Sequence, residues 1–207
     1  MRLTDKFLLV SLLFSSTVLS QIVYSPFVDS VKELCTVQSL GLINRQLSGD
    51  TPCIIGGNPY TILSRHYNNP GNNMAAQFIY ERFLSYGLSA YYMNYGGNGS
   101  NVYAVKTGTK YPNKKFIICA HFDDMPSGSL APGADDNGSG TSAVLEAARL
   151  LAPYSFDYTI IFAAFDEEER GLWGSRAFAD TSLLRQDSIV FVFNYDMIAW
   201  DGNNDYR

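Results

Sequence analysis

The chain reads as an α/β protein, with a mixed, largely parallel central sheet and helices on both faces. Three observations predict it. Strand-length apolar runs alternate with helical patterns from about residue 71 onward, the sequence signature of a layered α/β sandwich. The run 115–120 is apolar almost throughout, as in a strand buried on both faces. Acidic, Asn and His residues gather where three successive runs end, and ligands in such sheets bind beyond the carboxyl ends of the strands.

Taken in order, residues 28–47 predict a first helix, with apolar residues at 31, 34, 37, 40 and 43 and Asp29 or Ser30 as its cap. Residues 48–58, rich in Gly, Pro, Asp and Thr, predict a loop. Met74, Ala75, Phe78, Ile79, Phe83 and Tyr86 fall on one face of a helix over 71–86, capped by Asn72 or Asn73 and stopped by Gly87. Alternating residues over 88–95 and 101–107, with a turn between, predict a hairpin. The strand 115–120 follows, then a helix over 138–152, a strand over 158–165, a helix over 171–184 and an apolar strand over 188–198.

With 207 residues, 46% of them hydrophobic, the chain can bury a sizeable core. A formal charge of −5 and the lack of any basic patch argue against nucleic acid as a partner. Residues 1–20 have the pattern of a secretory signal: Arg2 and Lys6, an apolar run from Phe7, and a small-residue site before Gln21. That run is too short to span a bilayer, so the expected product is secreted or periplasmic, with no membrane span once the leader is removed. The expected division is a signal at 1–20, an N-terminal helix and loop at 21–59, and a catalytic domain at 60–207. Cys35 and Cys53 could pair in an oxidising compartment, whereas Cys119, inside an apolar run, is expected to be a buried thiol.

The residues with chemistry lie at the strand ends. The strand at 115–120 runs into His121-Phe122-Asp123, and the crossover after it carries Pro132-Gly133-Ala134-Asp135-Asp136-Asn137-Gly138-Ser139-Gly140. The next strand ends in Asp166-Glu167-Glu168-Glu169, and the last in Asn194-Tyr195-Asp196. Singly, each has a structural reading: Asp-Asn-Gly-Ser is turn chemistry, a lone His is often a core residue, a Glu run suits a helix N-terminus, and an Asp can cap a helix. All four would have to hold independently, at one edge of one sheet.

Together these stretches, with Glu168-Glu169-Arg170-Gly171-Leu172-Trp173-Gly174-Ser175 and Asn194-Tyr195-Asp196-Met197-Ile198, resemble the co-catalytic di-zinc aminopeptidases of clan MH, of the bacterial leucyl aminopeptidase type. The likeness runs from about residue 60 to the end. It implies that His121 and Asp196 bind one zinc, Glu169 the other, and Asp136 both. Glu168 is then the general base, and Asp123 supports His121 from its far nitrogen, the partner a zinc-bound imidazole needs. A hydroxide bridging two Zn²⁺ would leave that cluster neutral and would attack the N-terminal peptide bond of a peptide or protein substrate. The resemblance also implies a cis peptide at Asp136-Asn137.

The family supplies a further His to the second zinc beyond the Asp196 motif. This chain contains two histidines, His66 and His121, and ends at Arg207. The resemblance therefore implies a chain given without its C-terminal part. One zinc is expected to bind tightly and a second weakly, with activity low or absent and the apolar strand near the end left uncovered. Other readings on the same fold are a single-zinc glutaminyl cyclase or a carboxypeptidase-like relative; the paired Glu168-Glu169 favours two metals over these. A non-catalytic binding module is the reading from a different class, and Glu168, which a pure binder does not need, speaks against it. Substrate preference and oligomeric state stay open.

Overall fold

The computed structural model describes residues 24–96, 99–125 and 130–200. The expected leader at 1–20 lies outside them. Helices α1 (Pro26–Lys32) and α2 (Val37–Leu47) precede a small antiparallel hairpin, β1 (Cys53–Ile55) and β2 (Asn58–Tyr60). Then come α3 (Pro70–Ser85), β3 (Ser89–Asn94), β4 (Ser100–Lys106), β5 (Tyr111–His121), α4 (Gly140–Leu151), β6 (Tyr158–Phe165), α5 (Trp173–Leu184) and β7 (Ser188–Asn194).

The single helix expected over 28–47 is two. Ser25, with Pro26 behind it, caps α1, and Thr36 starts α2 through a reciprocal capping box with Ser39. Local side-chain bonds of this kind compete with helix continuation, so the chain turns between the two. The helix α3 is capped by Asn69 rather than Asn72 or Asn73, because Pro70 holds the preceding residue extended and occupies the first turn. Gly87, at φ +77°, ends it as expected. The loop expected over 48–58 holds β1 and the turn of the β1–β2 hairpin, whose second strand runs on to Tyr60.

The main sheet has the order β3-β4-β6-β5-β7. The first three strands are antiparallel neighbours, while β6, β5 and β7 run parallel. The parallel register sets His121 beside Phe165 and Cys119 beside Asn194, so three strands end at one edge. β6 sorts its side chains strictly: Ile160, Phe162 and Ala164 face a core shared with α2, α3 and α4, and Ile161, Ala163 and Phe165 face a smaller cluster with Phe178 of α5. Helices thus cover both faces.

All three cysteines are free. The suggested Cys35–Cys53 pair does not form: Cys35 is exposed, whereas Cys53 is buried with its thiol donating to the Tyr60 carbonyl. Cys119 is buried as expected, and burial pushes its thiol up to about 11. Among the described residues no helix is long and apolar enough to cross a membrane.

Candidate metal centre

His121 closes β5 and is buried. Its backbone carbonyl accepts the Thr141 hydroxyl at 2.8 Å, which fastens the strand end to α4. Nδ1 lies 3.3 Å from Asp123 Oδ1. Nε2 points the other way, 3.2 Å from Asp136 Oδ1 and 3.6 Å from Asp196 Oδ1. His121, Asp136 and Asp196 each offer a ligand atom, all within 4.8 Å of one another.

Each carboxylate arrives on a different element. Asp136 sits in an irregular helical turn over 134–139, and the Asp136–Asn137 peptide is cis, as the resemblance implies. Asp196 follows β7, whose pairing stops when the Tyr195 amide donates to the Cys119 carbonyl. Asp123, fully buried, accepts the Glu168 and Glu169 amides at 3.0 and 3.2 Å. One side chain therefore supports His121 and anchors the Glu168-Glu169 turn. Glu168 lines a cavity of about 280 Å³ with His121, Asp196, Cys119, Phe165 and Val192. Glu169 stands outside the three-residue cluster, and its carboxyl is raised by burial and then by the charge of Asp136. His66 contacts Asn68 and packs on Tyr67.

The electrostatics favour a cation. Burial works against an imidazolium at His121, but the hydrogen bond and charge of Asp123, with Glu168 and Asp196, outweigh it and push the group up to about 9. The field that holds a proton there suits a divalent ion equally. Imidazole nitrogen and carboxylate oxygen are both donors zinc takes, and three protein ligands are the number a catalytic zinc keeps, so the residues present fit zinc.

Several residues that hold the centre lie in the 132–140 motif and the acidic run at 166–169, where no role of their own is read from the sequence. Asn137 donates to the Tyr195 carbonyl and accepts the Gly140 amide; Ser139 Oγ accepts the Ile198 amide; Asp135 Oδ1 accepts the Ala199 amide. These bonds bind the Asp136 turn to the Asp196 loop. Asp166, also buried, accepts from Asn72, Ser100 and Glu167, and burial pushes it up to about 6. The only hint was position: all flank predicted ligands.

A parallel-stranded sheet edge that brings one His and two Asp within reach of a single cation has the arrangement of an α/β metal site. The sequence profile of peptidase family M28 matches residues 101–206, and the chain belongs to that family. It is 36% identical over 105 residues to a probable zinc metalloprotease of Pyrenophora teres f. teres, covering 48% of this chain and 22% of that protein. It is 40% identical over 97 residues to aminopeptidase YwaD of Bacillus subtilis, covering 44% and 20%. The chain thus spans about a fifth of the length of these curated relatives. Its fold is that of LapB from Legionella pneumophila, with a TM-score of 0.69 at 24% identity over 83% of this chain and 46% of that one. It also matches Porphyromonas gingivalis glutaminyl cyclase, with a TM-score of 0.64 at 18% identity over 80% and 60%.

Proposed function

We propose that the chain carries the catalytic centre of an exported zinc aminopeptidase, with His121, Asp136 and Asp196 holding the tighter zinc and Asp136 and Glu169 a weaker one. The observation that carries this reading is the convergence of those three ligand atoms within 4.8 Å at the edge where the sheet ends. Zinc bound there supplies a Lewis acid that polarises the scissile carbonyl and acidifies water. Glu168, beside the cavity, takes the proton of the attacking water and delivers it to the leaving amine. Asp123 Oδ1 faces the His121 ring 3.3 Å from Nδ1, the side away from the metal-facing Nε2, where a partner would orient a zinc-bound imidazole. The Glu168 and Asp196 carboxylates attract a free α-amine, which selects N-terminal over internal bonds. Export rests on the leader-like pattern of residues 1–20.

Two carboxylates without imidazole match zinc poorly. The 207-residue chain is expected to hold one zinc per molecule tightly, with little or no turnover of a leucyl amide. Metal analysis and that assay, run together, test it. Two tightly held zincs with brisk turnover would mean that an unassigned residue completes the second position. Cyclisation of an N-terminal glutaminyl peptide without release of an amino acid would favour the cyclase reading instead. Glu168→Gln is expected to keep the zinc and lose about 10²–10⁴-fold of any kcat; loss of zinc would make Glu168 a ligand.

A further inference from the structure

Arg65 is completely excluded from solvent, and no motif marks it. Its guanidinium donates to four backbone carbonyls: Nε to Phe122 at 2.6 Å, Nη1 to Leu47 at 2.7 Å and Pro132 at 2.9 Å, and Nη2 to Gly133 at 2.8 Å. Its own amide donates to Asp124 Oδ2 at 2.8 Å, and Nη1 lies 3.6 Å from that oxygen. Asp124 is equally buried.

The carbonyls it joins are the informative part. Phe122 stands between His121 and its support Asp123, and Gly133 lies three residues before Asp136. The Gly133 carbonyl also accepts the Gly138 amide, so it belongs to the turn that presents Asp136. Close approach is built in: Gly133 has φ +45°, and a Cβ there would stand 2.6 Å from Arg65 Nη2. One planar fork therefore spans the strand end carrying His121 and the loop carrying Asp136. Such bonds, with a charged donor, are shorter and stronger than neutral ones. A lysine ammonium is a point charge that cannot reproduce the fork.

We propose that Arg65 is a positioning residue that, through its four carbonyl bonds, sets His121 against Asp136 and thereby sets the metal affinity of the centre. This rests on the zinc reading above. The test uses the full chain, with Co²⁺ as a visible-absorption probe, zinc by competition, and far-UV circular dichroism with Tm to follow the fold. Arg65→Lys is expected to fold, to weaken Co²⁺ and Zn²⁺ binding about 10–100-fold, the usual effect of a partner behind a ligand, and to shift the Co²⁺ band. Asp124→Asn keeps the four carbonyl bonds and is expected to lower Tm with metal affinity unchanged.

Should Arg65→Lys not fold, the double variant Arg65→Met/Asp124→Leu removes the fork while replacing the buried pair by apolar groups, a change often tolerated. The same loss of affinity is expected there. A folded fork-less variant with wild-type affinity and Co²⁺ spectrum would overturn the proposal and leave the zinc reading intact. Equal weakening by Asp124→Asn would overturn it too, since charge rather than the fork would then govern the site. If wild type binds no Co²⁺ or Zn²⁺ that His121→Ala abolishes, the zinc reading falls and takes the proposal with it.

Discussion

β6 and β7 are the two parallel neighbours of β5, and their sequences are almost equally apolar. β6 is buried on both faces, with Phe162 at 0% exposure. On β7, Ile189, Val190, Phe191, Val192 and Phe193 are each 40–53% exposed. An apolar run thus marks a strand without saying what covers it. The difference reaches the metal centre: His121 and Asp123 are held on the covered side, whereas the Asp196 side chain, at the end of β7, is 43% exposed. The centre is buried at His121, whereas the Asp136 and Asp196 side chains are 47% and 43% exposed. Their loops are tethered to each other by the Asn137, Ser139 and Asp135 bonds.

The strongest way to break this contrast is truncation of matching side chains. Phe162→Ala should cost about 3–5 kcal/mol in urea unfolding, the usual range for a buried Phe. Phe193→Ala should cost far less, about 1 kcal/mol or below, since a half-exposed ring loses little on truncation. Equal losses would mean that β7 is covered in solution, by self-association or otherwise.

A smaller effect sharpens the contrast at the ligands. Zinc must displace the His121 proton, and that group is raised to about 9 because Asp123, Glu168 and Asp196 outweigh the opposing effect of burial. Zinc affinity should therefore climb about tenfold per pH unit from pH 7 and level off near pH 9. The sign for folding is opposite. A raised imidazole stabilises the metal-free fold below its ordinary value of about 6.5, and that contribution is lost as pH rises through about 9. Metal-free stability should fall over this window while zinc binding strengthens. Calorimetric titration and urea unfolding across pH 6–10 check both; a pH-independent zinc affinity would remove His121 from the ligand set.

What the sequence made legible follows from local rules. The strands 158–165 and 88–95, the helix stopped at Gly87, and the gathering of acidic and His residues at one sheet edge come from periodicity, turn chemistry and strand-end placement. The choice of His121, Asp136 and Asp196 among them came from the family resemblance. The break between α1 and α2 was hidden because the capping box at Thr36 depends on Ser39, not on the Glu or Gln usually sought there. The Cys35–Cys53 suggestion failed because spacing carries no information on which thiol faces the core. Arg65 lay in no motif, and Asn137 and Ser139 lay in one without an assigned role, for a shared reason: their partners are mostly backbone groups, which have no letter in a sequence.

The smallest expected effect tests the tether itself. Ser139 Oγ donates to the Asp135 carbonyl at 2.8 Å and accepts the Ile198 amide at 3.0 Å, joining the Asp136 turn to the loop after β7. Ser139→Ala removes a buried hydroxyl and strands the Ile198 amide, which lies near enough to solvent to be rehydrated. A loss of about 1 kcal/mol is expected, the net worth of an ordinary hydrogen bond. Because the Asp135–Ala199 bond remains, Asp196 should be loosened rather than released, and zinc affinity should fall by less than about tenfold on that energy scale. Hydrogen exchange gives the cleaner reading: the Ile198 and Ala199 amides should lose protection while β6 amides at Phe162 and Ala163 keep theirs. Loss of protection along β6 as well would show that the covered and uncovered strands unfold as one unit, and the contrast between them would be one of exposure alone.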